Sequence, residues 1–141
     1  MNILVSACLL GVACRYDGKS KPNEDVIALM NKHNLIPFCP EITGGLPTPR
    51  HPSEIVGDKV LNDIGEDVTA QYNKGAVEAL RIAKMYNCKY AILKEKSPSC
   101  GKGKIHNGKF DGGYIEGNGI TAKLFMENGI TVLGESEIKN L

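Results

Sequence analysis

Short apolar runs without helical period alternate with stretches that have one, and this alternation restricts the chain to a small set of folds. Ile3 to Cys8, Leu35 to Cys39, Tyr90 to Leu93 and Ile130 to Leu133 each read as a buried strand closed by turn-forming residues. Pro37 within the second run points to an early or irregular strand position, because proline cannot donate to a sheet ladder. Lys21-Pro22-Asn23 opens a helix between the first two runs. Asn23 is its expected N-cap, Glu24 and Asp25 suit its positive end, and Val26, Ile27, Leu29 and Met30 form its inward stripe. A long helix is expected from about Asp67 to Asn87, where Tyr72, Ala76, Leu80 and Ala83 share one face. Gly75 costs that helix ~1 kcal/mol against alanine and marks close packing. Ile120 to Glu127 gives a short helix ended by Asn128-Gly129.

Strand and helix in such alternation predict a three-layer, Rossmann-like α/β fold with right-handed crossovers and a mostly parallel sheet of four to five strands. With 141 residues, 42% of them hydrophobic, the chain can bury one core, so residues 1–141 are expected to form a single domain. Two segments interrupt the pattern. Pro40 to Ile64 reads as an ordered excursion in which Glu54 to Val56 and Lys59 to Leu61 pair as a small hairpin around Gly57-Asp58. Gly101 to Gly119 contains seven glycines and reads as a loop or weak hairpin with tight backbone approaches.

Seventeen basic and sixteen acidic residues leave a formal charge of +1, so no bulk field attracts nucleic acid or an anionic bilayer. No run approaches the ~18 apolar residues of a membrane span. Val5-Ser6-Ala7-Cys8 superficially resembles a lipoprotein cleavage site, but Ile3, Leu4 and Val5 alone do not make an apolar signal region and no basic residue precedes them. Five cysteines, an odd number without paired spacing, suggest free thiols in a reducing compartment. The expectation is a cytoplasmic protein.

The placement of those cysteines carries the chemistry. Cys8 ends the first strand, Cys39 ends the second, and Cys100 lies just past the third, and parallel strands put all of these ends on one side of the sheet. Cys88 precedes the third strand and belongs at the opposite edge as a buried small hydrophobe. Cys14, six residues beyond Cys8, could be a fourth ligand, a resolving thiol or core. Structural zinc prefers four closed ligands with paired spacing, which is missing here. Three unpaired thiolates leave two options open: an iron-sulfur cluster with one uncommitted iron, or a catalytic zinc with one open position.

Four motifs in order carry a family resemblance over essentially the whole chain. They are Ser6-Ala7-Cys8-Leu9-Leu10-Gly11, Cys14-Arg15-Tyr16-Asp17-Gly18, Cys39-Pro40-Glu41 with Gly44-Gly45-Leu46-Pro47-Thr48-Pro49-Arg50, and Leu93-Lys94 with Ser97-Pro98-Ser99-Cys100-Gly101. The chain resembles a bacterial domain family that includes thiouracil desulfidases. That resemblance implies a 4Fe-4S cluster on Cys8, Cys39 and Cys100, with the open iron taking sulfur from a small thiolated pyrimidine such as 2-thiouracil. It further implies Glu41 as the acidic residue that activates water or relays protons, and Ser97 as an assistant in proton transfer.

Around these, Arg50 is expected to bind substrate or balance cluster charge through its planar fork, with Asp17 and Ser99 as weaker substrate contacts. Asp17-Gly18 is also what a plain turn contains, and His33, His51 and His106 have ordinary explanations. Lys94, Lys96, Lys102, Lys104 and Lys109 form a basic set that reads as a solvated rim. Two other function classes compete with the desulfidase: a non-catalytic cluster carrier or thiol redox sensor, which needs only the cysteines, and an enzyme with Cys100 as nucleophile, which would work without iron.

Overall fold

The computed structural model describes residues 1–141. A parallel sheet of four strands runs in the order β2, β1, β5, β8, formed by β1 (Asn2–Ser6), β2 (Asn34–Phe38), β5 (Tyr90–Leu93) and β8 (Thr131–Gly134). The expected strand-helix alternation is therefore present. Pro37 lies on β2 at the edge of the sheet, where a missing N–H costs no central ladder bond.

Successive residues of the central strands enter different cores, as the period of two requires. Leu4, Ala91, Leu93 and Val132 face α3 (Thr69–Met85) and α4 (Ile120–Glu127), where Ala79, Ala83, Ala122 and Phe125 pack against them. Ile3, Val5 and Ile92 enter the other core with Leu9, Val26 and Leu29, which Ile138 and Leu141 flank. Both faces are covered, which explains why the strands read as continuous apolar runs.

α1 (Glu24–Ala28) begins as expected, with the Asn23 side chain accepting from the Val26 N–H at 3.1 Å. It lasts only five residues before a 3-10 turn over Leu29–Asn31, and Met30 is exposed rather than inward. The tighter turn rotates Met30 off the stripe that 3.6-residue spacing assigned to it. In α3 the buried face contains Tyr72, Gly75, Ala76, Ala79 and Ala83, and Leu80 packs at its margin.

The hairpin expected in the excursion exists as β3 (Ser53–Val56) and β4 (Lys59–Asn62). The glycine-rich segment holds a second one, β6 (Lys104–His106) and β7 (Tyr114–Glu116). One helix escaped the sequence reading, α2 (Pro40–Thr43), a single turn with Pro40 at its start, where proline is tolerated. α2 crosses α3 backbone to backbone. A Cβ on Gly75 would lie 1.9 Å from the Pro40 carbonyl oxygen, and one on Gly44 would lie 2.0 Å from that of Gln71. The expected close packing at Gly75 is thus the seat of the turn that follows Cys39. No helix is long and apolar enough to cross a membrane.

Candidate active site

Because β2 and β5 flank β1, the chain changes direction between β1 and β5, and a crevice opens there at the carboxyl ends of the strands. The Ser6 hydroxyl accepts from the Lys94 N–H at 2.9 Å and ties the two strand ends together. A cavity of 730 Å³ lies over this point, and Cys8, Cys14, Cys39 and Cys100 all line it. Cys88 does not; it is buried before β5 begins, beside Ala83 and Ile130.

Each thiol owes its place to a different local device. Cys8 was expected to end the first strand, but β1 ends at Ser6 and Cys8 falls two residues later, in the 3-10 turn Ala7–Leu10. Cys39 caps α2, and its Sγ lies 3.8 Å from the Cys14 carbonyl oxygen. Cys100 sits in a turn held by the Ser97 hydroxyl oxygen, which accepts from the N–H groups of Ser99 and Cys100, each at 3.1 Å. The carbonyls of Pro98 and Ser99 accept from Ile120, Thr121 and Ala122, satisfying the first N–H groups of α4. Gly119 is required there, since a Cβ would lie 2.5 Å from the Ser99 carbonyl.

All five cysteines are free. Burial pushes the Cys100 thiol up to about 12 against the opposing hydroxyls of Ser6 and Ser99, and nearby Glu41 and Cys39 act in the same upward direction. The hydrogen bond with Cys14, then burial, push Cys39 up as well. Cys14 is within hydrogen-bonding reach of both Cys39 and Cys8; the first lowers it, and the second together with burial raises it to about 11. These are soft donors kept neutral by burial and by hydrogen bonds among themselves until a cation replaces their protons. No three histidine, cysteine, aspartate or glutamate side chains sit tightly enough to share one metal ion.

Glu41 stands beside the thiols in the first turn of α2. Its Oε2 accepts from Arg50 Nε at 3.0 Å and from the Tyr72 hydroxyl at 3.1 Å, and Arg50 Nη2 lies 2.9 Å away. Burial alone would lower the Arg50 guanidinium, but Glu41 and Cys39 more than offset it, so its charge is retained. The remaining Arg50 donors reach the carbonyls of Cys14 and Pro47 and the Thr48 hydroxyl. Arg50 was expected to bind substrate or balance cluster charge, and in this arrangement its donors reach Glu41 and the loops carrying Cys14, Pro47 and Thr48.

Ser97 lines the cavity, as a proton-transfer role requires. Ser99 does not; it is fully buried and hydrogen bonded to Thr121 at 2.9 Å, so it offers no surface to a substrate, while its hydroxyl stands near the Cys100 thiol. Asp17 is exposed in the turn that its composition also allowed, with Oδ1 accepting from the Lys19 N–H at 3.0 Å. Two of the basic set are paired, Lys94 with Glu135 at 2.9 Å and Lys102 with Glu137 at 3.4 Å, and Lys96 lies 4.9 Å over the Tyr114 ring. Tyr72 was read only as part of a core stripe. Nothing in a helical period distinguishes an apolar neighbour from one whose hydroxyl reaches a carboxylate.

The chain is similar over nearly its whole length to known proteins. A family model described as 2-thiouracil desulfurase matches residues 3–137. An uncharacterized protein, YbbK, of Bacillus subtilis (strain 168) is 42% identical over 149 aligned residues that cover 99% of each chain. A solved structure described as the [4Fe-4S]-dependent thiouracil desulfidase TudS superposes with a TM-score of 0.94 at 45% identity, covering 99% of this chain and 94% of that one. The motifs, the sheet topology and these matches agree, and the chain belongs to the 2-thiouracil desulfurase family of enzymes.

Proposed function

We propose that this protein, working as a single α/β domain in a reducing cytoplasm, removes sulfur from a small thiolated pyrimidine such as 2-thiouracil. Cys8, Cys39 and Cys100 would hold a 4Fe-4S cluster. The donor set supports this: soft thiols from the ends of three parallel strands, with Cys8 and Cys100 buried and Cys39 half-buried, line one cavity. When bound, the cluster supplies an iron without a cysteine ligand, a Lewis acid that prefers sulfur to oxygen and draws electron density from a thiocarbonyl.

The chain's own residues would do the proton work. Glu41 takes a proton from the water that attacks the thiocarbonyl carbon; a C–O bond forms, the C–S bond breaks, and sulfur departs as sulfide. The Ser97 oxygen already accepts two N–H bonds, which leaves its hydroxyl proton free to be donated to a leaving atom. Arg50 keeps Glu41 oriented.

The observation that carries this reading is Glu41 held by Arg50 and Tyr72 beside the thiols. A carrier or redox sensor has no use for that carboxylate. The test is anaerobic purification with quantification of iron and acid-labile sulfide, then sulfide release from 2-thiouracil by the wild type and by Glu41→Gln. Turnover in the variant should fall by roughly 10²- to 10⁴-fold, the usual contribution of a general base, with the cluster retained. Equal turnover in the two proteins removes Glu41 from the chemistry. Substoichiometric iron in a reconstituted wild type removes the cluster.

A further inference from the structure

Glu41 is gripped asymmetrically. An arginine facing a carboxylate usually places one N–H on each oxygen in a parallel pair. Here Arg50 Nε and Nη2 both approach Oε2, at 3.0 and 2.9 Å, and the Tyr72 hydroxyl reaches that same oxygen at 3.1 Å. Oε1 has no hydrogen bond from the protein, and Glu41 lines the cavity.

We propose that Tyr72 is a positioning residue for the reaction: its hydroxyl, with Arg50, holds Glu41 by Oε2 alone and so dedicates Oε1 to proton transfer. This rests on the reading of Glu41 given above. The side chain of Tyr72 suits the task because it cannot drift. It is 2% exposed, packed with Val60 and Val68 in the first turn of α3. Gly44 meets Gln71 of that turn and Gly75, one turn on, meets Pro40, so the hydroxyl and the carboxylate sit on two elements in direct backbone contact. Burial, followed by the charge of Glu41, pushes the phenol far above neutral pH. It therefore stays protonated and can only donate; it does not compete with Glu41 for the reaction's proton.

Without that hydroxyl, nothing opposes the ordinary pairing. The carboxylate can turn so that Arg50 takes both oxygens, and Oε1 then carries an arginine N–H instead of facing the substrate's water. Arg50 cannot impose the asymmetry alone, because its other donors are committed to the carbonyls of Cys14 and Pro47 and to Thr48.

The experiment is a cycle of Tyr72→Phe, Glu41→Gln and the double variant, each loaded with cluster anaerobically. Iron content, the cluster's visible absorption, kcat and KM are measured for each. Tyr72→Phe should lower kcat about 10- to 100-fold, the scale expected when a hydrogen bond to a charged group is lost, with KM and cluster absorption unchanged. In the Glu41→Gln background the same change should have no further effect, since it acts through Glu41. If Tyr72→Phe does not fold, 4-aminophenylalanine at this position keeps shape and a donor, and it should bring turnover toward that of the wild type. Wild-type kcat in Tyr72→Phe, a change in KM instead, or an undiminished effect in the Glu41→Gln background overturns the proposal. So does loss of turnover in a folded, cluster-loaded aminophenylalanine variant. Full activity in Glu41→Gln sinks the underlying reading of Glu41 instead, so the two failures are distinguishable.

Discussion

The two ends of β5 carry two cysteines of equal burial and opposite character. Cys88, before the strand, and Cys100, after it, are each 5% exposed and belong to the same apolar core. Burial pushes the Cys88 thiol up with only the Leu4 backbone opposing it. Around Cys100 stand the hydroxyls of Ser6 and Ser99, the Glu41 carboxylate and the Cys39 thiol, and a cavity opens beside it. Degree of burial therefore says nothing about which thiol is used. The polarity of the parallel sheet does, because loops that can diverge and converge lie beyond the carboxyl ends of the strands, and Cys88 lies at the other end.

The comparison is most severely tested by exchanging each cysteine for alanine. Cys100→Ala should leave less than one intact cluster per chain after anaerobic reconstitution and abolish sulfide release, as iron analysis and turnover will show. Cys88→Ala should keep both and lose about 1–2 kcal/mol of stability in denaturant unfolding, the cost of a small core cavity. Cluster loss in Cys88→Ala, or its retention in Cys100→Ala, breaks the distinction between the two ends.

Gly75→Ala sharpens it. The added methyl meets the Pro40 carbonyl, so α2 must move and carry Cys39 and Glu41 with it. About 1–3 kcal/mol of overpacking cost is expected, together with faster iron loss to a chelator than in the wild type. Unchanged iron retention would mean that the carboxyl-end loops are held by something other than this contact.

The smallest effect is expected past β8. The Gly134 N–H, 2.9 Å from Glu137 Oε1, holds that carboxyl below the ordinary range, with Lys102 adding to it. A depressed folded value contributes stability that is present above the unfolded carboxylate range and is lost as pH falls through the lower folded value. The side chain is 44% exposed, so solvent screening limits the effect to about 0.5 kcal/mol or less. Glu137→Gln should remove that part of the acid limb in pH-dependent unfolding. An unaltered acid limb would show that the C-terminal segment is held by Ile138 and Leu141 alone.

Local pattern was enough for the four sheet strands, the Asn23 cap, the long helix α3, the short helix α4 and the hairpin at Gly57, because each is written in a period or a turn residue within a few positions. It failed at Met30, where a 3-10 turn shifted the phase, and at α2, a single turn too short to show a period. The same division runs through the site. Cys8, Cys39, Cys100, Glu41 and Ser97 could be named from strand ends and motifs, and all of them line one cavity. The sequence could not tell that Ser99 faces Thr121, that Arg50 spends its donors on Glu41 and backbone carbonyls, or that Tyr72 reaches across from α3.

By itself, then, the sequence determined the kind of sheet, the edge at which the thiols gather and the residue types available there, since these follow from local periodicity and chain direction. Only tertiary structure decided which donors are free and which are spent. A hydrogen bond between Tyr72 and Glu41 joins residues 31 positions apart, and it depends on two glycines letting α2 and α3 touch. Such a contact is a property of packing distance, which no one-dimensional pattern encodes.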